Sequence, residues 1–165
     1  LNIVQDKIAS HNGYLIGVQR DAIGFSRSRQ AWRYYRNLKD AESYELGIGT
    51  QIKLLRYSEE TGDWVLWVSM APGSTFAPHW HLGPGQYFVT EGELIYDVGS
   101  APAGTYGYEP VGSRHAEARC SEQTEFLFMG QGAVAYTEDD GSIKFIMNHE
   151  FLRDLAAGIS QPDIS

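Results

Sequence analysis

The sequence predicts an all-β domain, in which short antiparallel strands form a sandwich or a barrel. Two observations lead to this prediction. From residue 46 onward, runs rich in β-branched and aromatic residues recur, and Gly, Pro or acidic turns separate them about every 8 to 12 residues. These runs do not alternate with long helical patterns, as a parallel sheet would require. A chain of 165 residues is also long enough to bury one such core without disulfides.

The predicted strands follow one another along the second part of the chain. The first two are TQIKLLRY and WVLWVSM, and GQYFVTEGELIYDVG indicates two strands that meet in a hairpin at Glu91-Gly92. Further strands are expected in AGTYGYEP, HAEARC, TEFLFMGQGAVAYTEDDG and SIKFIMN. The segment NHEFLRDLAAG spaces its apolar residues at helical intervals and stops at Gly158, which predicts a short C-terminal helix.

The first 45 residues have the least regular pattern. The run SRQAWRYYRNLKDAESY contains helix formers and favours a short helix over an irregular arm. We therefore expect one domain overall, made of an N-terminal arm over residues 1–45, a β region over 46–148 and a helical tail over 149–165. The arm holds the only cluster of basic residues, which consists of Arg27, Arg29, Arg33 and Arg36.

Composition and charge exclude several classes of partner. The formal net charge is -8 and the pI is near 5.0, which argues against a nucleic acid or an anionic membrane as partner. Cys120 is the one cysteine, so no internal disulfide can form, and a lone thiol fits a reducing compartment. No apolar run approaches the roughly 18 residues of a membrane span, and LNIVQDKIAS lacks a signal-peptide pattern. We expect a cytoplasmic protein.

Three histidines of the β region could form a metal site. His79 and His81 lie one residue apart in HWH, and alternate residues of a strand point to the same face, so this pair can grip one ion. Pro110 and Gly112 predict a tight turn that can aim His115 at the same place. Three neutral imidazoles leave the charge of a divalent ion uncompensated. Such a site favours an anionic chelating ligand, for instance an enolate or a hydroxyketone, and suits Fe, Ni, Cu or Zn.

The spacing around these histidines resembles the two-part signature of the cupin superfamily. The first part is GSTFAPHWH, in which Gly73 precedes the histidine pair, and the second is GTYGYEPVGSRH, which ends in His115. The resemblance implies a small antiparallel barrel, with homodimers as a common assembly. Cupins usually have a glutamate three or four residues after the second histidine, where this chain has Gly85 and Gln86. Gln86 is therefore either a neutral fourth ligand or a substrate contact beside a three-histidine site.

The run HWHLGPGQYFVTEGELIYDVGSAPAGTYGYEPVGSRHAE is similar to the cupins that cleave acetylacetone or dihydroxyacetophenone. The likeness covers roughly residues 47–148. It implies Fe(II) on His79, His81 and His115, and cleavage by dioxygen of a carbon–carbon bond next to a carbonyl in a small chelating ketone. Ni, Zn or Mn are alternative metals. Glu109 matches the glutamate of the Y-E-P motif and is a candidate acid–base group or hydrogen-bond partner near the metal.

Two features leave other functions open. The family often has a basic and aromatic run resembling GRWRY where this chain has GELIY, so a positive charge near an anionic substrate is missing. The same family also includes a sensory zinc-binding cupin fused to an anti-sigma module. The alternatives are therefore a non-redox metal-dependent isomerase or lyase, and a non-catalytic zinc-binding sensor.

Overall fold

A computed structural model describes the backbone of residues 25–28, 31–34, 36–138 and 140–159, and the side chains of 36–138 and 140–159. The chain divides into two compact units, Leu1–Ala41 and Glu42–Ser165. The boundaries that the sequence predicts after residues 45 and 148 stay predictions.

The described part of the first unit contains a small antiparallel pair of strands. Strand β1 (Phe25–Ser28) pairs with β2 (Ala31–Tyr34), and a single 3₁₀ turn follows at Leu38–Asp40. The helix predicted within this segment is therefore wrong. The aromatic residues Phe25, Trp32 and Tyr34 favour extended backbone, and this preference prevails over that of the helix formers in the same run. The first 24 residues lie outside the described part of the chain.

The second unit confirms the all-β prediction. Its strands form three antiparallel sheets, with the orders β10-β9-β13-β6, β11-β8-β14-β5-β4-β3 and β12-β7-β15-β16, as expected of a cupin fold. Their bounds are β3 Tyr44–Gly47, β4 Thr50–Tyr57, β5 Asp63–Met70, β6 Thr75–Phe76, β7 His79–His81, β8 Gly85–Glu91, β9 Glu93–Tyr96, β10 Gly99–Pro102, β11 Tyr106–Glu109, β12 Arg114–His115, β13 Ala118–Arg119, β14 Thr124–Gln131, β15 Val134–Thr137 and β16 Ile143–Met147.

The hydrophobic core lies on the inner faces of these strands. In β5 every second residue is buried, and β4 and β8 show the same alternation over most of their length. Ile52, Leu66 and Met70 are at most 2% exposed. Strands β8 and β9 turn sharply at Gly92, whose φ of 69° favours glycine. A side chain there would overlap the backbone of Gln123. Only glycine therefore fits at the position where the hairpin is predicted.

The predicted C-terminal helix is also confirmed. Helix α1 spans His149–Ala156, and the Asn148 side chain caps it by accepting a hydrogen bond from the backbone N–H of Phe151 at 2.8 Å. Leu152 and Leu155 are buried and join the core, as the apolar spacing predicted. Within the described ranges, no helix is both apolar enough and long enough to cross a lipid bilayer.

Candidate metal centre

Two short paired strands carry the three candidate ligands. His79 and His81 lie at the two ends of β7, and their side chains share a face because strand residues alternate. Strand β12 pairs antiparallel with β7, so His115 lies directly opposite His79. Their imidazole rings lie close together, with centroids 4.9 Å apart, and the ring of His81 is 5.3 Å from each of the other two.

A tight turn positions His115, as its sequence predicts. The backbone N–H of Ser113 donates to the carbonyl of Pro110 at 3.0 Å, and Gly112 has a φ of 89°. Two backbone hydrogen bonds join this turn to β7. Gly112 N–H donates to the carbonyl of His81, and His81 N–H donates to the carbonyl of Ser113, both at 2.8 Å. The backbone of the turn therefore holds β12 beside β7.

The loop after the histidine pair, LGPG, is held by its own backbone. Gly83 passes so close to the carbonyl of Gln131 that a side chain would overlap it. The N–H groups of Leu82 and Gly83 both donate to the carbonyl of Ala133, at 2.9 and 3.1 Å. The glycine in this motif therefore lets the chain reverse against β14 and return as β8.

The ligand atoms of the three histidines converge on one point. One nitrogen of each of His79, His81 and His115 lies within 4.8 Å of the others. Nδ1 of His79 is 2.8 Å from the carbonyl of Ala77, so an N–H at Nδ1 donates there and leaves Nε2 free to bind a metal. Nε2 of His81 and of His115 are buried and have no hydrogen-bond partner in the described chain. These nitrogens fit a divalent metal ion, which would satisfy them.

Burial keeps the imidazoles in the neutral form that binds metals. Together with the neighbouring histidines, it lowers the pKa of His79 to about 4 and that of His81 to about 3. Burial also lowers the pKa of His115. Near pH 7 the ring nitrogens that face the centre therefore carry lone pairs, and a metal ion has no protons to displace.

Among the described residues, Glu109 brings a carboxylate against two of these rings. Its oxygens are 3.2 Å from Nε2 of His81 and 3.4 Å from Nε2 of His115, although neither contact has hydrogen-bond geometry. Glu109 pairs across the strands with Gly85, where a side chain would meet Oε2 of Glu109 at 3.2 Å and Phe128 at 2.6 Å. The carboxylate from β11 therefore fills space beside position 85 that a side chain on β8 would otherwise enter.

Burial also changes the pKa of this carboxylate. It raises the pKa of Glu109 to about 7, and the hydrogen bond from Tyr96 opposes this shift in part. The Tyr96 hydroxyl donates to Oε1 of Glu109 at 2.9 Å. Glu109 can therefore accept or release a proton near neutral pH, which suits an acid–base role.

Gln86, the candidate fourth ligand, is not brought to the histidines. It lies on the exposed face of β8, while Gly85 and Tyr87 face inward. Its Oε1 accepts a hydrogen bond from the hydroxyl of Tyr106 at 2.8 Å on the outer side of the sheet. The strand register places Gly85 next to the centre, and the strict alternation of a strand then turns Gln86 outward.

A cavity of about 50 Å³ opens beside His79 and His81. By the same measure a single water needs roughly 10–15 Å³, so the cavity has room for a small molecule. Its walls are mostly aliphatic and aromatic, and no lysine or arginine is among the described residues that line it. The polar side chains that line it are His79, His81, Tyr96, Glu109 and Tyr136.

The sequence alone did not identify two of these polar residues, Tyr96 and Tyr136, as part of the site. Tyr96 is on β9 two residues after the buried Leu94, so strand alternation could have placed it inward. Tyr136 pairs with His79 across β15 and β7, and their rings lie 5.3 Å apart. Burial raises the pKa of both phenols, so each stays protonated. Nothing in the local sequence of Tyr136 marks this pairing, because the partner strand lies more than fifty residues earlier.

Comparison with known proteins places this chain in a family. A sequence model described as the ChrR cupin-like domain matches residues 33–135, which is more than half of the chain. The chain belongs to this family. Membership of this family is consistent with the three antiparallel sheets described above.

Individual relatives carry an enzymatic name. The acetylacetone-cleaving enzyme of Acinetobacter johnsonii is 31% identical over 101 residues, which is 58% of this chain and 66% of that protein. The crystal structure of the acetylacetone dioxygenase from the same organism superposes with a TM-score of 0.71 at 24% identity, and covers 82% of this chain and 97% of that one. A candidate acetylacetone dioxygenase from Methylibium petroleiphilum PM1 gives a TM-score of 0.69 at 27% identity, with 82% and 99% covered.

Proposed function

We propose that this cupin is a metal-dependent dioxygenase that cleaves a carbon–carbon bond next to a carbonyl in a small enolisable ketone. The observation that carries the proposal is the juxtaposition of three neutral histidines, one ionisable carboxylate and a small apolar cavity. The names of the relatives support the same reaction class. We propose Fe(II) as the native metal, held by His79, His81 and His115, with Ni, Zn or Mn as alternatives.

The lining of the cavity favours an uncharged substrate. Its described walls contain no lysine or arginine to pair with a carboxylate or a phosphate of the ligand. A neutral ketone enters without a charge to desolvate, and can lose a proton once its oxygens face the metal. The missing basic run in GELIY is consistent with this, because the anionic enolate then forms only inside the cavity.

The residues of the chain divide the work of such a reaction. Bound Fe(II) would supply coordination positions for the ketone oxygens and electron transfer from the substrate to dioxygen. Glu109 would accept the proton of the enolising carbon, and its pKa of about 7 makes it a competent base at neutral pH. Tyr96 holds the carboxylate in place, because its hydroxyl donates a hydrogen bond to Oε1 of Glu109. Buried apolar walls exclude bulk water from the reacting end.

The two other functions predict different observations. A closed zinc site in a sensor needs no substrate cavity, whereas here the cavity is lined by His79 and His81 themselves. An isomerase or lyase would use the same histidines but would consume no dioxygen. We therefore favour the dioxygenase over both.

The deciding experiment measures metal content and oxygen uptake together. Protein purified without oxygen is analysed for metals, and then mixed with β-diketones and hydroxyacetophenones while dissolved oxygen is followed. We expect nearly one iron ion per chain, and one molecule of dioxygen consumed for each molecule of ketone cleaved. Tightly bound zinc with no uptake from any of these ketones would refute the dioxygenase.

A matched pair of variants controls the metal assignment. His81→Ala removes a ligand that is 1% exposed and should lose nearly all bound iron. His149→Ala removes a histidine at the start of α1 and should keep it. Equal metal content in the two variants would place the metal elsewhere.

We also propose that the protein is a homodimer. The outer face of β8 and β11 carries three exposed aromatic side chains, Phe88, Tyr106 and Tyr108, which are 42%, 58% and 58% exposed. Aromatic residues are enriched in the cores of protein interfaces. Sedimentation analysis should give twice the mass of one chain, and a monomer at all accessible concentrations would contradict this.

A further inference from the structure

The indole of Trp64 forms part of the wall of the cavity. This residue lies in β5, where alternate side chains face inward, and it is only 1% exposed. It lines the same cavity as His79 and His81. Phe128 also lines the cavity and lies near both Trp64 and His81. Its ring is 6.2 Å from that of His81 and 5.4 Å from that of Trp64.

Three contacts fix the indole in this position. Its Nε1 donates a hydrogen bond to the carbonyl of Gly132 at 3.0 Å. The ring stacks on Phe128 with an angle of 19° between the planes. The residue directly opposite on β14 is Gly130, and a side chain there would overlap the six-membered ring of the indole. The absence of a side chain at position 130 is therefore what gives the ring its space.

We propose that Trp64 sets the upper limit on the length of the ligand that this cavity accepts. A ketone whose oxygens face the histidines directs a substituent away from them, past Phe128, until it reaches the indole. Longer substituents would have to displace a ring that a hydrogen bond, a stacked neighbour and a glycine hold in place. The chemical identity of the ligand rests on the proposed function, but the size limit follows from the packing alone.

The test compares ligand lengths between two tryptophan variants on one strand. Trp64→Leu shortens the wall, while Trp67→Leu changes a half-buried residue on the opposite face of β5 and serves as the control. Each protein is loaded with Zn(II), so that binding is measured without turnover, and titrated by calorimetry with pentane-2,4-dione, heptane-2,4-dione and nonane-2,4-dione.

We expect the parent protein and Trp67→Leu to bind the nine-carbon diketone at least tenfold more weakly than the five-carbon one. In Trp64→Leu this ratio should shift by at least tenfold in favour of the longer ligand, because each methylene then finds apolar space. An unchanged ratio in Trp64→Leu would overturn the proposal. Far-UV circular dichroism checks that the variants fold, and Trp64→Phe, which keeps a ring, provides a milder variant with a smaller shift.

A second probe separates the size limit from the proposed reaction. Benzene binds to apolar cavities made by removing a core side chain, and ligand binding to the native state raises the midpoint of thermal unfolding. Benzene should raise this midpoint more for metal-free Trp64→Leu than for Trp67→Leu or the parent protein, because removing the indole enlarges the apolar space. If benzene does so while no diketone binds any variant, the assignment of Trp64 to the cavity wall stands and the proposed function fails. If benzene stabilises Trp64→Leu no more than the parent protein, the proposal about Trp64 fails.

Discussion

The carboxylate of this centre comes from a different strand than the cupin signature leads one to expect. The usual glutamate would follow the histidine pair on β8, where this chain has Gly85 and an outward-facing Gln86. Glu109 lies opposite Gly85 on β11 and reaches the same space from there. Glu109 therefore places a carboxylate next to His81 and His115 from the strand opposite Gly85.

At the scale of single residues, the first prediction concerns the role of Glu109 as a base. Glu109→Gln keeps the shape and the hydrogen bond from Tyr96, but removes the base. We expect kcat to fall by roughly 100-fold or more, which is the usual contribution of a positioned proton acceptor. The amount of bound metal should stay within about 20% of that in the parent protein, because the three imidazoles remain. Steady-state oxygen uptake and metal analysis of the same samples provide the measurement. Activity within threefold of the parent would show that Glu109 is not the base.

The second residue prediction concerns the hydroxyl of Tyr96. Its hydrogen bond lowers the pKa of Glu109 and so opposes the effect of burial. Tyr96→Phe should therefore raise the pKa of Glu109 above about 7. Since the carboxylate form is the base, kcat/KM rises with pH, and its rising limb should move to higher pH in Tyr96→Phe. The pH profile of oxygen uptake measures this, and a rising limb that stays in place or moves to lower pH would contradict it.

At the scale of single elements, the turn before β12 decides where His115 lies. Gly112 has a φ of 89°, which costs an alanine about 1–2 kcal/mol. Gly112→Ala should thus destabilise the fold and also weaken metal binding several-fold. The turn is bonded to His81, so a distorted turn disturbs the ligands on both β7 and β12.

Gly141 supplies the matched control for this prediction. It lies between β15 and β16 with a φ of 83°, and, like Gly112, it has open space around its α-carbon. Gly141→Ala should cost similar unfolding free energy and leave metal affinity unchanged. Denaturant unfolding and metal titration of both variants test this. Equal effects on metal affinity would mean that the turn has no specific role.

The same elements show how far sequence reasoning reaches. The histidine pair, the turn at Gly112 and the hairpin at Gly92 were predictable, because their patterns are local. The helix expected near residue 30 was wrong, because helix formers and aromatic residues point to different structures within the same short run. From its position after the histidine pair, Gln86 is either a fourth ligand or a substrate contact, whereas the register of β8 turns its side chain outward. Register depends on partner strands, which a local pattern does not specify.

At the scale of the whole molecule, the buried histidines couple stability to pH. Their pKa values are lowered on folding, so below about pH 6.5 the unfolded chain binds protons that the folded chain does not. Glu109, with a raised pKa, acts in the opposite sense between about pH 4.5 and 7 but is a single group. For metal-free protein the free energy of unfolding should therefore fall from pH 6.5 to 4, by on the order of 1–2 kcal/mol per pH unit. Denaturant unfolding at four pH values measures this slope, and a constant or rising stability over that interval would contradict the burial of neutral imidazoles.

The overall architecture was predictable from the rhythm of strands and turns, but the cavity was not. Its walls combine residues from distant parts of the second unit, such as Leu46, Tyr96 and Tyr136. Alternation along each strand tells which residues face inward, but not which of them meet across the interior. The position of Trp64 depends on a glycine sixty-six residues later in the chain, and no local pattern links the two.

The position of the acid on β11 has a consequence for how the charge of the centre can be altered. The acidic group and the imidazoles stand on separate parts of the framework, so the electrical charge of the centre can change without disturbing the histidines. One substitution at position 109 would remove the acid, whereas a side chain at position 85 would first have to displace Phe128. The charge beside the metal can therefore be altered by one unit at a single residue while the three imidazoles stay in place.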